Sequence, residues 1–283
     1  MKLFTDKLGY EETIEMANEL SGEYKDPVIF HCFWNGKLNQ KHYFSILSCF
    51  FTNVLNRPNR KIILWTNTIQ EKSEMFDSLS TFCEIRWFNF EFELSTTDIP
   101  SSIMIGDMVY PIYSDRIRYL LLYKYGGMWF DLDIFYLKSF DPIFNSFKEN
   151  ILAYRWGESN HPNNAFLMNL KKFNPAMKRF IEFMIEQNKG FGFQQSQLTF
   201  DKQVDLTVLP CSWFDGGWCS DFPEFTEISN KTFFHYTEKD VKLDTFAKGA
   251  FCYHWHNLWD YPIQEGSYFD RLVKDLLSKF NKS

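Results

Sequence analysis

One stretch of this 283-residue chain, Ser114 to Asp133, constrains its fold more than any other. Ile117, Leu120, Leu121 and Lys124 recur at i, i+3, i+4 and i+7, which predicts a helix whose buried stripe is closed at its end by a polar residue. Asp115 and Arg118, three apart, lie on a neighbouring face and can address a common target. Gly126 and Gly127 suit a left-handed C-terminal cap. Met128-Trp129-Phe130 then re-enters as a short apolar strand ending in Asp131-Leu132-Asp133. If the strand continues, the two carboxylates share one side of it. Alone, Asp-x-Asp is a weak signal, since most instances are turns or solvated strand ends. Carboxylates placed directly after an apolar strand, however, are costly to desolvate unless a cation or hydrogen bonds compensate them. Hard oxygen ligands suit Mg²⁺ or Mn²⁺, which take one or two protein carboxylates and leave other positions to substrate phosphates. The stretch therefore predicts a divalent-cation seat beside a phosphate-bearing ligand.

The rest of the chain alternates strand and helix. Thr13 to Leu20 reads as a short amphipathic helix, Val28 to Trp34 as a buried strand and His42 to Leu55 as a helix ending before Asn56-Arg57-Pro58. Lys61 to Thr66 and Glu84 to Phe88 read as further strands, and Pro175 to Gln187 as another helix. From Asp201 onward the sequence is irregular and Trp-rich. This βαβ rhythm predicts an α/β fold with a mainly parallel twisted sheet and helices on both faces. The Asp pair then falls at the C-terminal end of a strand, where open α/β sheets bind ligands.

The central segment resembles the signature of DXD-containing glycosyltransferases of family 32, which include mannosyl- and galactosyltransferases and, distantly, clostridial glucosylating toxins. Ser114, Asp115, Arg118, Gly126-Gly127, Trp129-Phe130, Asp131 and Asp133 stand at that family's spacing. Pro27 to Gly36 resembles its first strand, and Asn163 to Phe166 followed by Asn174-Pro175 its Asn-Ala segment. Val208 to Pro210 with Phe214 resembles a late strand and turn, and His254 to Trp259 the terminal His-rich motif closed by Trp. The likeness runs from about Pro27 to Trp259. One departure is the lack of a Gly-Pro pair near Gln195-Ser196, a loop that borders the sugar pocket in relatives.

The resemblance implies the nucleotide-diphospho-sugar transferase fold, called GT-A. It also implies a metal-dependent glycosyltransferase of glycan or polysaccharide biosynthesis. Such an enzyme moves a sugar from a nucleotide-sugar donor, UDP-linked, to a hydroxyl of a glycan or glycoconjugate acceptor, retaining the anomeric configuration. Mn²⁺ or Mg²⁺ is the implied cofactor. By the same resemblance Trp34 stacks on the nucleobase, Asp115 and Arg118 grip the donor sugar and its phosphate-side oxygens, and Asp131 contacts ribose and sugar. Asp133 binds the metal directly, Asn164 hydrogen-bonds the sugar, and His254, with His256 as the lesser candidate, completes the metal or diphosphate site. Trp259 closes over it. Each has a bland counterpart: Trp34 as core, Asp115 and Arg118 as a surface ion pair worth under ~0.5 kcal/mol, Asn164 as a turn residue and the two His as structural.

Composition sets limits. The length suits one catalytic domain, read here as an N-terminal helical extension over 1–26, a core over 27–259 and a C-terminal helix over 260–283. Aromatics reach 19%, enough to fill a core and still leave stacking platforms in a cleft. A net charge of −6 argues against nucleic acid as a partner. A nucleotide-sugar is acidic too, so its binding must rest on local Arg, metal and backbone donors. Met1 to Lys7 lacks the apolar core of a signal peptide. The longest apolar run, Phe44 to Phe51, falls far short of the ~20 residues that span a bilayer, so the expectation is a cytoplasmic protein with no transmembrane segment. The six cysteines form no Cys-x-x-Cys pair and read as reduced thiols. Two rivals stay open. A metal-dependent phospho- or nucleotidyltransferase would consume a nucleoside triphosphate and leave Trp34 and Asn164 unexplained. A non-catalytic carbohydrate-binding protein on the same fold would not need Asp131 and Asp133 intact.

Overall fold

A computed structural model of the chain describes residues 2–3, 10–69, 73–104, 110–157, 162–187, 206–219, 222 and 225–280. Gln195-Ser196, where the Gly-Pro pair is missing, lies outside them. In chain order the elements are β1 (Lys2–Leu3), α1 (Tyr10–Glu19), β2 (Val28–Phe33), α2 (Gln40–Cys49), β3 (Arg60–Thr66), α3 (Glu74–Leu79), β4 (Glu84–Trp87), α4 (Phe90–Ser95) and α5 (Tyr110–Tyr125). There follow β5 (Gly127–Phe130), β6 (Ile134–Tyr136), α6 (Asp141–Phe147), β7 (Ile151–Arg155), β8 (Pro162–Asn169), α7 (Pro175–Gln187), β9 (Leu206–Leu209), β10 (Cys252–His254) and α8 (Tyr268–Phe280). Eight strands form one sheet in the order β1-β9-β7-β8-β5-β2-β3-β4, and β6 pairs with β10 in a small antiparallel ribbon. Every pairing in the large sheet is parallel except those of β8, which runs against both neighbours.

The period-two pattern of the strands sorts their side chains into two layers. Val28, Phe30, Cys32, Ile62, Leu64, Met128 and Phe130 face a core shared with Ile46 and Cys49 of α2 and Ile143 and Phe144 of α6. Ile63, Trp65, Trp129 and Leu167 face the other layer, filled by α5 and by Met177, Phe180 and Ile181 of α7. Helices thus cover both faces, as the βαβ rhythm predicts. A third apolar cluster joins α8 (Phe269, Leu272, Leu276) to Phe233, Phe234, Tyr253 and Trp255, and roofs the ribbon through Phe135. The segment that reads as irregular from sequence is therefore held by aromatic packing more than by repeating hydrogen bonds. Helix α8 begins at Tyr268, well inside the expected 260–283 span.

Two local features place the central signature. Gly126 and Gly127 adopt φ of +65° and +108°, and a Cβ on Gly127 would sit 2.2 Å from the Ile29 carbonyl oxygen. Only glycine allows both the left-handed turn and the close passage of β5 beside β2. His31 locks the same corner. Its Nδ1 accepts from Trp65 Nε1 at 3.0 Å, so Nε2 donates to the Gly126 carbonyl at 3.0 Å, and burial holds its pKa down at about 3. The second feature is the start of α2 at Gln40. Asn39 Oδ1 accepts from the backbone N–H of Lys41 and His42, and His42 Nδ1 accepts from the N–H of Asn39. That reciprocal cap explains a start two residues before the expected His42. After Cys49 the helix loosens into a π turn over Phe50–Val54. Among the described residues no helix is long and apolar enough to cross a membrane.

Candidate active site

Strand β5 stops at Phe130. The Asp131 N–H still donates to Ala165 O at 2.8 Å, but Leu132 and Asp133 turn away. The two carboxylates therefore do not line one side of a strand, and each enters a different cluster of charges.

Asp131 faces Arg118. The α5 helix is buried nearly all round from Ile117 to Tyr123, wider than a single stripe, and Arg118 itself is only 4% exposed. A surface ion pair is thereby excluded. The guanidinium lies 3.2 Å from Asp115 Oδ1 and 3.2 Å from Asp131 Oδ1, and its Nη1 donates to the side-chain and backbone oxygens of Asn164. Asn164 Nδ2 donates in turn to Asp115 Oδ1 at 3.0 Å, and Trp129 Nε1 to Asp131 Oδ1 at 2.8 Å. Arg118, Asp115, Asn164 and Asp131 thus form one closed network, with the guanidinium over the Trp129 ring at 5.1 Å. Burial raises the pKa of Asp131 to about 6, with Arg118 opposing and Asp133 adding to the rise. The raised value fits a site already crowded with negative charge.

Asp133 enters the second cluster. Its Oδ2 lies 3.2 Å from His254 Nε2 and accepts the Asn257 N–H at 2.8 Å. Its Oδ1 is buried and has no hydrogen-bond partner among the described residues. On the other side of His254, Nδ1 lies 2.8 Å from the Tyr154 hydroxyl, which donates to Asp215 Oδ2 at 3.2 Å. Burial works against charge on both members of the pair, yet mutual attraction wins: His254 is raised to about 10 and Asp133 lowered to about 2. His256 turns toward Asp215 rather than toward the Asp131 and Asp133 pair. Its Nε2 lies 2.8 Å from each Asp215 oxygen and accepts from Trp218 Nε1 at 2.8 Å. An indole N–H only donates, so Nε2 and the Asp215 oxygens face each other as lone-pair donors.

Ligand atoms of Asp215, His254 and His256 lie within 4.8 Å of one another and could hold a metal ion. An unpartnered carboxylate oxygen on Asp133 and an imidazole facing a carboxylate across 2.8 Å are the chemistry a hard divalent cation completes. Of the four metal ligands expected from sequence, Asp133 and His254 meet directly, His256 joins through Asp215, and Asp131 is engaged by Arg118 and Trp129. Sequence reasoning missed Asp215 and Tyr154. Asp215 precedes Gly216-Gly217 in a Trp-rich turn, and nothing local marks it as part of the site. The backbone supplies one further sign: His256 and Asn257 both hold positive φ, 52° and 57°. Consecutive left-handed non-glycine residues are strained, and such strain collects at functional sites. Here it aims the Asn257 N–H at Asp133.

A third group of rings lies beside the ribbon. Trp34, expected on the nucleobase, and Trp259, expected over the metal or diphosphate site, lie 4.8 Å apart between centroids. His42 lies 4.0 Å from Trp34 and stacks on Trp259 at 4.3 Å. Trp34 Nε1 donates to Lys37 O, which holds a half-buried ring at the end of β2.

Residues 47–149, spanning Arg118, Asp131 and Asp133, match the family of glycosyltransferase sugar-binding regions containing a DXD motif. No curated protein matches the chain. Among solved structures, the glycosyltransferase GlyE of Streptococcus pneumoniae TIGR4 aligns at 16% identity with a TM-score of 0.50, over 91% of this chain and 64% of that one. The WbbM bifunctional glycosyltransferase aligns at 12% identity with a TM-score of 0.54, over 91% of this chain and 50% of that one. PaToxG glycosyltransferase aligns at 16% identity with a TM-score of 0.44, over 68% of this chain and 75% of that one. The chain thus spans under two thirds of GlyE and half of WbbM, and with both it shares the fold. Residues 47–149 are thus similar to a glycosyltransferase sugar-binding region containing a DXD motif, and the likeness to GlyE and WbbM shows the GT-A fold.

Proposed function

We propose that the protein transfers a sugar from a nucleotide-diphosphate sugar, UDP-linked, to a hydroxyl of a glycan or glycoconjugate, with Mn²⁺ or Mg²⁺ and with retention. The observation that carries this reading is the pair of adjoining clusters at the end of β5. One presents a permanently charged guanidinium, and the other an unpartnered Asp133 oxygen beside His254. A diphosphate joined to a sugar needs both kinds of partner. Asp133 and Asp215, with His256, would hold the cation, and His254 would join them on giving up its Nε2 proton. When bound there, it would offset negative charge developing on the leaving diphosphate. Arg118, fixed between Asp115 and Asp131, would give up part of that network to turn N–H groups toward the oxygens between sugar and phosphate. Asn164 and Asp115 orient that guanidinium and reach the sugar hydroxyls, and Trp34 takes the base. In the transfer, the anomeric carbon–oxygen bond to the diphosphate breaks and its electron pair leaves with the phosphate oxygen. The acceptor hydroxyl oxygen bonds the anomeric carbon and its proton passes to that leaving oxygen.

A panel of nucleotide-sugars, scored by thermal shift with and without Mn²⁺ and then by release of nucleoside diphosphate, tests the reading. The expected result is stabilisation by one donor in the presence of Mn²⁺, about 2.7 kcal/mol at a hundredfold excess over Kd, together with diphosphate release that EDTA abolishes. Consumption of a nucleoside triphosphate instead would replace the reading with phospho- or nucleotidyl transfer. Sugar binding without any nucleotide binding would make it a carbohydrate-binding protein.

A further inference from the structure

His42 stands at the third position of α2, and its two ring nitrogens are in unlike situations. Nδ1 accepts the Asn39 N–H at 2.9 Å, which fixes the hydrogen of the neutral ring on Nε2. Burial keeps the imidazole neutral by holding its pKa at about 3, with Asp133 opposing. The residue is 1% exposed, and its Nε2 has no hydrogen-bond partner among the described residues. A buried donor left unmet is destabilising, and native proteins keep few of them. The rest of the surroundings are rigid. Asn39 Nδ2 donates to Trp259 O, and Lys41 Nζ donates to Leu258 O and Tyr261 O, so the first turn of α2 is tied to the loop that carries Trp259. Two indoles, Trp34 and Trp259, flank the ring.

We propose that His42 is a specificity-determining residue, its Nε2–H donating to a carbonyl oxygen of the donor's nucleobase when that base stacks on Trp34. The proposal rests on the nucleotide-sugar reading above and adds to it the means by which the base is told apart. A base seated on Trp34 brings its edge beside the imidazole, and a ring carbonyl meets a hydrogen that none of the described residues accepts. Uracil presents such carbonyls, whereas adenine presents none. The 4.8 Å approach of Trp34 and Trp259 must widen to admit the base. The α2 tie holds His42 in place while the indoles turn about their own side-chain bonds.

The test measures the affinity of uridine, UDP and ADP, each with Mg²⁺, by calorimetry on the wild-type chain, His42→Phe and His42→Gln. His42→Phe keeps a flat ring but has no donor. His42→Gln keeps an acceptor for the Asn39 N–H and an amide donor. The expected result is a loss of about tenfold for both uridine and UDP in His42→Phe, unchanged weak ADP binding, and recovery of most of the preference in His42→Gln. In the wild-type protein the Nε2–H signal in histidine ¹H–¹⁵N spectra should move on addition of uridine, a readout that holds even if a variant fails to fold. Equal loss for uridine and ADP, loss for UDP with uridine unaffected, or an unmoved Nε2–H signal would overturn the assignment. Failure of the wild-type chain to bind any nucleoside diphosphate would instead overturn the nucleotide-sugar reading.

Discussion

Two buried carboxylates in this protein are treated in opposite ways. Asp141, at the start of α6, accepts from the Tyr24 N–H, Arg57 Nε, Arg60 Nη2 and the Ser139 hydroxyl, so both of its oxygens are occupied. Burial alone would raise its pKa, but the hydrogen bond from Arg60 and those around it lower it. Asp133, also buried, has one oxygen with no hydrogen-bond partner among the described residues. Around Asp141 two guanidinium groups serve one acid. Around the DXD turn four acids (Asp115, Asp131, Asp133 and Asp215) share Arg118 and His254. Burial is common to both places; what distinguishes them is whether every negative charge has its own positive partner. The first cluster closes the fold upon itself, whereas the second leaves negative charge for something outside the chain to offset.

The largest expected effect comes from Asp133→Asn. It should lower nucleoside diphosphate release by about a thousandfold, some 4 kcal/mol of transition-state stabilisation, while unfolding stays cooperative. Steady-state assay beside thermal unfolding checks this, and wild-type turnover in the variant would make Asp133 as structural as Asp141. Asp141→Asn should do the reverse. It leaves Arg60 buried without its counter-charge, and breaking a buried pair costs about 3–5 kcal/mol of stability. Urea unfolding measures that loss, and kcat/KM of the folded fraction should match the wild type.

Trp34→Ala should weaken binding of the nucleoside diphosphate by about 1–3 kcal/mol, the range for a base stacked on an aromatic ring. Calorimetry on a correctly folded variant decides the matter, and unchanged affinity would assign Trp34 to the core. The smallest effect is one of pH. Asp141 has a folded pKa below its unfolded value of about 3.9. The stability it supplies is complete above that value and is lost as pH falls through the depressed one. Below about pH 4 the wild type should therefore lose stability more steeply than Asp141→Asn, by at most about 1.4 kcal/mol per pH unit. Parallel acid limbs in urea midpoints would show that Asp141 is less tightly held than its hydrogen bonds indicate.

Much of the scaffold was legible because it is local. Strand β2 ends one residue before the expected Trp34, β3 begins one residue earlier than Lys61, and α7 spans Pro175–Gln187 as its periodicity predicts. Gly126-Gly127 makes the left-handed turn that two adjacent glycines suit. The helix that carries Asp115 and Arg118 was legible too, but its burial was not. A stripe from Ile117 to Lys124 implies one apolar face, and only the cover supplied by α7 and the sheet shows that Arg118 is enclosed.

What the sequence determined by itself is what short-range spacing encodes: the alternation of strand and helix, the corner before β5, and the Asp131-Leu132-Asp133 turn at a strand end. Tertiary structure alone decided how those carboxylates divide, Asp131 to Arg118 and Asp133 to His254. It also brought Asp215 and Tyr154 to a histidine that lies 100 positions from Tyr154 along the chain. The same holds for His42, whose N–H, unmet among the described residues, follows from a cap that any sequence could show and from a burial that none can. Periodicity is a property of neighbouring residues. The balance of charge in a buried site depends on which distant segments the sheet order sets side by side.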